Sequence, residues 1–287
     1  MRIKAYILAC DASWIEDSVL SYYDIVEEIV VSYDEKGVGW SGVPIPVEEC
    51  LTRLKAIDRD GKMRYLPGHF ARLDHNPLDN DTYQRQTALA EAGKDADWVL
   101  EIDTDEILPR PERLVELLKY ADQQDIGVVE WPMRIFFRRL GDGRFLEVCA
   151  GDKTDCFEYP GPVACRPGVQ LTNARRAAGP YIRPCVKNDR NSLQVNRPAE
   201  EREHRVDFCE SGDAILHFSW ARTPEQIRNK IASWGHNDGL KTWFYYYAVW
   251  KPSPFSWHWL RDFHPGARGV WPALKTASNL ALPHTVI

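Results

Sequence analysis

Two aspartates, Asp103 and Asp105, end an apolar run in DADWVLEIDTDEILPRPERL, residues 95–114, and Glu106 follows directly. In an extended segment residues two apart point the same way, so both carboxylates can address one site. Paired hard oxygen ligands suit Mg²⁺ or Mn²⁺. A cation held there offsets the negative charge that builds on a departing diphosphate. Asp11 and Asp34 also follow apolar runs, IKAYILA (3–9) and EEIVVSY (27–33). The position after the first run reads ACDASW, with neither the GxGxxG of a dinucleotide-binding oxidoreductase nor the Gly- and Lys-rich phosphate loop of a nucleotidyltransferase.

The elements that must carry these residues alternate. Apolar runs predict strands over 3–9, 27–33, 62–66 and 97–103. Between them, Ser13 and Glu16 predict a capped helix to about Tyr23, a second helix covers 47–59, and Asp81 with Gln84 predicts a third over 82–92. Pro111 opens a helix to about Tyr120, and IGVVEWPM begins a further strand. RIFFRRLGDGRF reads as a hairpin or irregular arm, GDAILHFSW (212–220) as a late strand, and Thr223-Pro224 with Gln226 as a helix start toward Trp234. WFYYYAVW (243–250) continues as another helix. Such alternation predicts an α/β fold with a mostly parallel central sheet flanked by helices, an irregular middle and a helical, Trp-rich C-terminal part. Ligands of such sheets bind beyond the carboxyl ends of the strands, where all three acidic clusters lie.

The stretch WVLEIDTDE resembles the DxD motif of family 2-like, GT-A fold glycosyltransferases, and YILACDASWIEDSVLSYYDIVEEIVVSYD resembles their first strand, helix and second strand. The resemblance covers roughly residues 3–120 and 212–236. It implies a metal-dependent transfer of a sugar from a nucleotide-diphosphate donor to an acceptor hydroxyl, with inversion. Carried over by position, Asp11 and Asp34 lie near the base, Asp103 near ribose and metal, and Asp105 is the principal ligand for Mn²⁺ or Mg²⁺. Arg85 matches a basic residue near the nucleotide. ILHFSWARTPEQIRNKIASWGH is similar to a closing motif in which the histidine approaches metal and diphosphate. This makes His217 a third metal ligand, with Arg222 and Lys230 neutralising phosphate and His236 ranked below His217. The loop after the second strand departs from the family pattern; there Trp40 is assigned to stack on a base and Ser41 to share that loop's work.

Inversion requires a carboxylate within reach of the acceptor hydroxyl. Asp152, Asp155, Glu158, Asp189, Glu210 and Asp213 follow the DxD, and Asp213 and Asp189 are preferred. The chain divides into a donor half (1–125), an acceptor-side half completing the sheet (126–222) and C-terminal helices with a wrapping tail (223–287). The other readings are a nucleotidyltransferase and a non-catalytic carbohydrate- or nucleotide-binding protein.

Composition bounds the partners. The net charge of -6 disfavours a coat of nucleic acid, but residues 161–198 hold seven basic residues against one acidic. Arg166, Arg175, Arg176, Arg183, Lys187, Arg190 and Arg197, with Arg134, Arg138, Arg139 and Arg144, are expected to receive an anionic ligand. The acceptor classes are a glycan, a small molecule, an anionic molecule or DNA. Seven cysteines without CxxC spacing predict free thiols in a reducing compartment. No run reaches 18 apolar residues, so a cytoplasmic protein without a membrane span is expected, one able to touch a membrane surface.

Overall fold

The structure is a computed structural model and describes residues 1–233, 239–277 and 280. Its first half alternates: β1 (Ile3–Leu8), α1 (Ile15–Leu20), β2 (Ile29–Asp34), α2 (Val47–Ile57), β3 (Met63–Gly68), α3 (Pro77–Ala92), β4 (Trp98–Glu101), the two-residue β5 (Glu106–Ile107) and α4 (Pro111–Gln123). A strand-rich stretch follows: β6 (Val128–Glu130), β7 (Met133–Arg139), β8 (Phe145–Cys149), β9 (Pro162–Cys165), β10 (Leu171–Asn173), β11 (Arg176–Ala177) and β12 (Tyr181–Val186). Then come α5 (Leu193–Asn196), β13 (Glu203–Cys209), β14 (Ile215–His217), α6 (Pro224–Ser233), α7 (Leu240–Tyr245), α8 (Ser253–Ser256) and β15 (Ala273–Ala277).

Eight strands form the central sheet in the order β13-β12-β6-β9-β4-β1-β2-β3. Neighbours run parallel except at β9, which is antiparallel to both β4 and β6. Side chains alternate across the sheet, so each strand feeds two cores. Ile3, Ala5 and Ile7 pack on one face with Ile15, Val19, Leu51, Leu54, Leu114 and Leu118 from α1, α2 and α4. Tyr6, Leu8, Val30 and Val99 pack on the other with Ala88, Leu89 and Ala92 of α3. Burial on both faces explains why β1, β2 and β4 read as nearly unbroken apolar runs. A smaller sheet, β15-β8-β7-β14-β5, joins the first core. Its β7–β8 hairpin is the arm read from RIFFRRLGDGRF, and its opposite face holds Trp14, Phe136, Phe145 and Phe218.

Two expected caps differ. α1 has Trp14 at its N-cap with no side-chain bond, because Glu16 is drawn to Arg53 at 3.0 Å. α3 starts at Pro77 rather than near 82; Asn76 caps it by accepting from the Asp79 N–H, and Pro77 fits the first turn. Asp81 and Gln84 are interior and buried, and both serve the crevice instead. By contrast, Thr223 and Gln226 form the expected reciprocal cap of α6. Trp234 and His236 lie outside the described residues. No helix among the described residues is long and apolar enough to cross a membrane.

Candidate functional site

β2 and β3 add to one side of β1 and β4 adds to the other, so the strand order reverses between β1 and β4. At such a switch point the loops leaving the carboxyl ends part and open a crevice. A cavity of about 820 Å³ lies there. Asp11, Asp34, Arg85, Asp103, Asp105, His217, Arg222 and Lys230 all line it. β1, β2 and β4 present the first two aspartates and the DxD turn, α3 presents Arg85, and β14, α6 and the turn between them deliver His217, Lys230 and Arg222.

Asp103 is held by two guanidiniums. Arg85 donates to both its oxygens at 2.9 and 3.2 Å, and Arg175 Nη1 donates to Oδ2 at 3.3 Å. Burial pushes the Asp103 carboxyl up, but Arg85 and Arg175 outweigh it and hold the group below its usual range. Arg175 Nη1 also donates to Glu106 Oε1 at 2.6 Å, while Glu106 Oε2 accepts the Asp103 N–H. Arg85 is anchored in turn by Asp81 at 2.7 Å. The result is a rigid, charge-balanced floor, in which Asp103 has both oxygens committed.

Asp105 differs. Its Oδ2 accepts from Arg222 at 2.6 Å and from Lys230 at 3.2 Å, while Oδ1 faces His217 Nε2 at 3.7 Å. Arg222 also pairs with Asp11, and Lys230 donates to Ser219 Oγ at 2.7 Å. Burial pulls the Arg222 guanidinium down to about 10 and lowers the Lys230 ammonium, so both cations sit poorly solvated beside the crevice. Among the described residues, no group of three or more His, Cys, Asp or Glu side chains is placed to hold a metal ion. One carboxylate oxygen and one imidazole nitrogen, Asp105 and His217, remain as a two-point set. Such a set fits Mn²⁺ or Mg²⁺ when phosphate oxygens and water complete the shell. Asp103, expected to share the metal, is turned to its arginines instead.

Asp34 lines the cavity at 4% exposure, but its carboxylate is occupied by backbone amides. Oδ2 accepts from the Phe70 and Ala71 N–H groups at 2.8 and 3.3 Å, and Oδ1 from that of Lys36 at 3.0 Å. It organises the loops after β2 and β3 rather than presenting free oxygens. Trp40 lines the same wall, with its indole N–H fixed on Gln84 Oε1 at 2.7 Å. Ser41 donates to the Ala232 carbonyl and ties this loop to α6.

None of the six carboxylates expected to act as base lines the cavity. Asp213 is fully buried, accepts the Glu210 N–H at 2.8 Å and faces Arg110 and Arg113. It is a structural cap. Asp189 accepts the Asn191 and Ser192 N–H groups and shapes a turn. The basic middle also resolves into internal pairs. Arg183 meets Glu130 and Glu203, Arg166 meets Asp122 and Asp125, and Lys187 meets Glu210. From residues 161–198 only Arg175 and Arg176 among the basic side chains reach the cavity.

Two residues gain weight. Arg175 reads in the sequence only as part of a charge run, because nothing local marks which arginines of that run turn toward the cavity. Glu225 is not among the residues that the sequence singles out. It is exposed on the cavity wall, and among the described residues its carboxylate has neither a cation nor a hydrogen-bond donor as partner, whereas Asp34 is held by backbone amides. Its position one residue after Pro224, inside the closing motif, was the available signal.

No family model matches the chain, and no curated protein matches it. Among solved structures, the crystal structure of a mycobacterial protein aligns over 49% of this chain and 42% of its own length, at 19% identity and a TM-score of 0.27. So partial a likeness carries no argument, and the site has to be read from its own geometry.

Proposed function

We propose that this chain is a glycosyltransferase that moves a sugar from a nucleotide-diphosphate donor to an acceptor hydroxyl. One observation carries the reading. Eight residues chosen for donor and metal binding, spread from position 11 to position 230, converge on one cavity at the switch point of the sheet. The mostly parallel sheet with its crevice between β1 and β4 supports the GT-A-like form of this reading.

The residues divide the work. Arg85, Arg175, Asp103 and Glu106 form the fixed floor on which the ribose and diphosphate lie. Arg222 and Lys230 bring positive charge to the wall where the diphosphate leaves, at a buried position where that charge is weakly screened. A divalent Mn²⁺ or Mg²⁺ held by Asp105 and His217 would supply Lewis-acid stabilisation of the departing diphosphate. Glu225 takes the proton from the acceptor hydroxyl as its oxygen bonds to the anomeric carbon. The bond from that carbon to the phosphate oxygen breaks, and the diphosphate keeps the electron pair.

The test is a panel of nucleotide sugars scored for released nucleoside diphosphate with and without Mn²⁺. One donor is expected to turn over. Asp105→Asn should lower its turnover about 100-fold or more in protein whose circular dichroism still matches the parent. Glu225→Gln should lower transfer about 10²- to 10⁴-fold with donor affinity unchanged. Near-native turnover by the Asp105 variant would overturn the assignment.

A further inference from the structure

The segment after α6 presents apolar side chains in two directions. Along α7 and the wide π turn that continues it (Tyr246–Trp250), Thr242, Tyr245, Tyr246 and Trp250 are buried. Tyr245 packs against Trp220 at 5.2 Å, and Trp250 donates its indole N–H to the Trp220 carbonyl at 3.0 Å. The other side is not covered. Leu240 is 87% exposed, Phe244 72% and Tyr247 58%, and a little further on Phe255 is 85% and Trp259 78% exposed. Five of the nine large apolar side chains exposed among the described residues therefore fall within residues 240–259. Helices apolar all round are normally enclosed on all sides, by protein or by lipid. Here, among the described residues, protein encloses one side only.

Charge identifies what meets the other. Residues 239–268 carry Lys241, Lys251, Arg261 and Arg268 against Asp262, a net of +3 in a chain of net -6. All four cations are exposed. A second copy docking symmetrically would bring the same positive patch against itself, which like-charge repulsion opposes. An anionic lipid surface meets both features. Phe, Tyr and Trp rings settle at the headgroup level, and lysines and arginines beside them meet the phosphates. We infer that the face built by Leu240, Phe244, Tyr247, Phe255 and Trp259 with the surrounding basic side chains docks the protein on anionic membrane surfaces.

Vesicle co-sedimentation of the full chain tests this independently of transfer activity. The protein is expected to sediment with phosphatidylcholine vesicles containing about one third phosphatidylglycerol, and much less with phosphatidylcholine alone. Added salt should weaken the binding. The double substitution Phe244→Ser and Trp259→Ser should lower the partition coefficient about tenfold or more, and Lys251→Gln about fivefold. Both positions changed in the double variant are exposed, so its circular dichroism and melting should match the parent. Failure to bind anionic vesicles, or equal binding by the folded double variant, overturns the inference. A dimer seen by light scattering and abolished by the double substitution would do the same, by assigning the face to a second copy.

Discussion

Glu106 has no solvent exposure, and its charge is met at 2.6 Å by Arg175 Nη1. The same guanidinium reaches the Glu101 carbonyl at 3.1 Å and the Pro162 carbonyl at 3.0 Å, so four partners from two stretches of chain, 101–106 and 162, depend on it. Truncation would strand a buried carboxylate without a counter-charge. Arg175→Ala is expected to cost about 3–5 kcal/mol in urea titration. Arg175→Lys should recover only part of this, since an ammonium cannot span the fork. At this scale the sequence was readable where local pattern fixes position. Asp103 and Asp105 were visible because a strong apolar strand ends beside them. Arg175 was not, because its direction is decided by carboxylates some seventy residues away in the chain.

At the scale of elements, the local cap of α6 was legible, whereas the equally local Asn76 cap of α3 and the distant partners of Asp213 were not. Thr223 and Gln226 bond each other, so the start of α6 follows from four adjacent residues. Asp213 looked like a free acid ahead of β14, yet arginines from the start of α4 enclose it. The segment leading to β15 contains a pH-sensitive element of the same local kind. His264 Nδ1 accepts the Gly266 and Ala267 N–H groups at 3.1 and 2.8 Å, which only the neutral ring can do. Burial lowers its pKa, with Glu158 and Asp262 opposing. Because the folded value lies below the unfolded one of about 6.5, this contribution is present above that pH. It is lost as pH falls through the lowered value. Melting temperature should therefore fall between about pH 7.5 and about pH 5, and His264→Gln should show a shallower fall. An unchanged slope would remove His264 from the account.

Across the whole molecule, the division at residue 125 crosses the central sheet. Val99 and Leu100 of β4 pair with Cys165 and Ala164 of β9, and β5 pairs with β14. A fragment of residues 1–125 would leave β4 as an open, apolar edge. It is expected to elute as aggregate in size exclusion and to lack a cooperative melt, whereas the full chain shows one. A monomeric, cooperatively melting fragment would show that residues 1–125 fold alone. The first three strands were legible because β1, β2 and β3 pair in order with one helix between neighbours, and β4 because its buried apolar run stands out although its partner β1 lies three helices back. β9 was not, because a short run between prolines and cysteines gives no sign that it enters the middle of the sheet in reverse. Net charge misled in a similar way: most of the basic middle is spent on internal carboxylates, while the +3 of residues 239–268 lies outside.

That reversed strand also sets a timetable for biosynthesis. The sheet grows outward from β1 as the chain emerges, but the partner of Val99 is Cys165, about 66 residues later. At roughly 5–20 residues per second, β4 waits about 3–13 s for its neighbour. During that interval the nascent protein holds a finished crevice wall on one side and a sticky, unpaired strand on the other. The hazard in making this molecule therefore falls in the middle of translation, before β9 and the strands beyond it have been added.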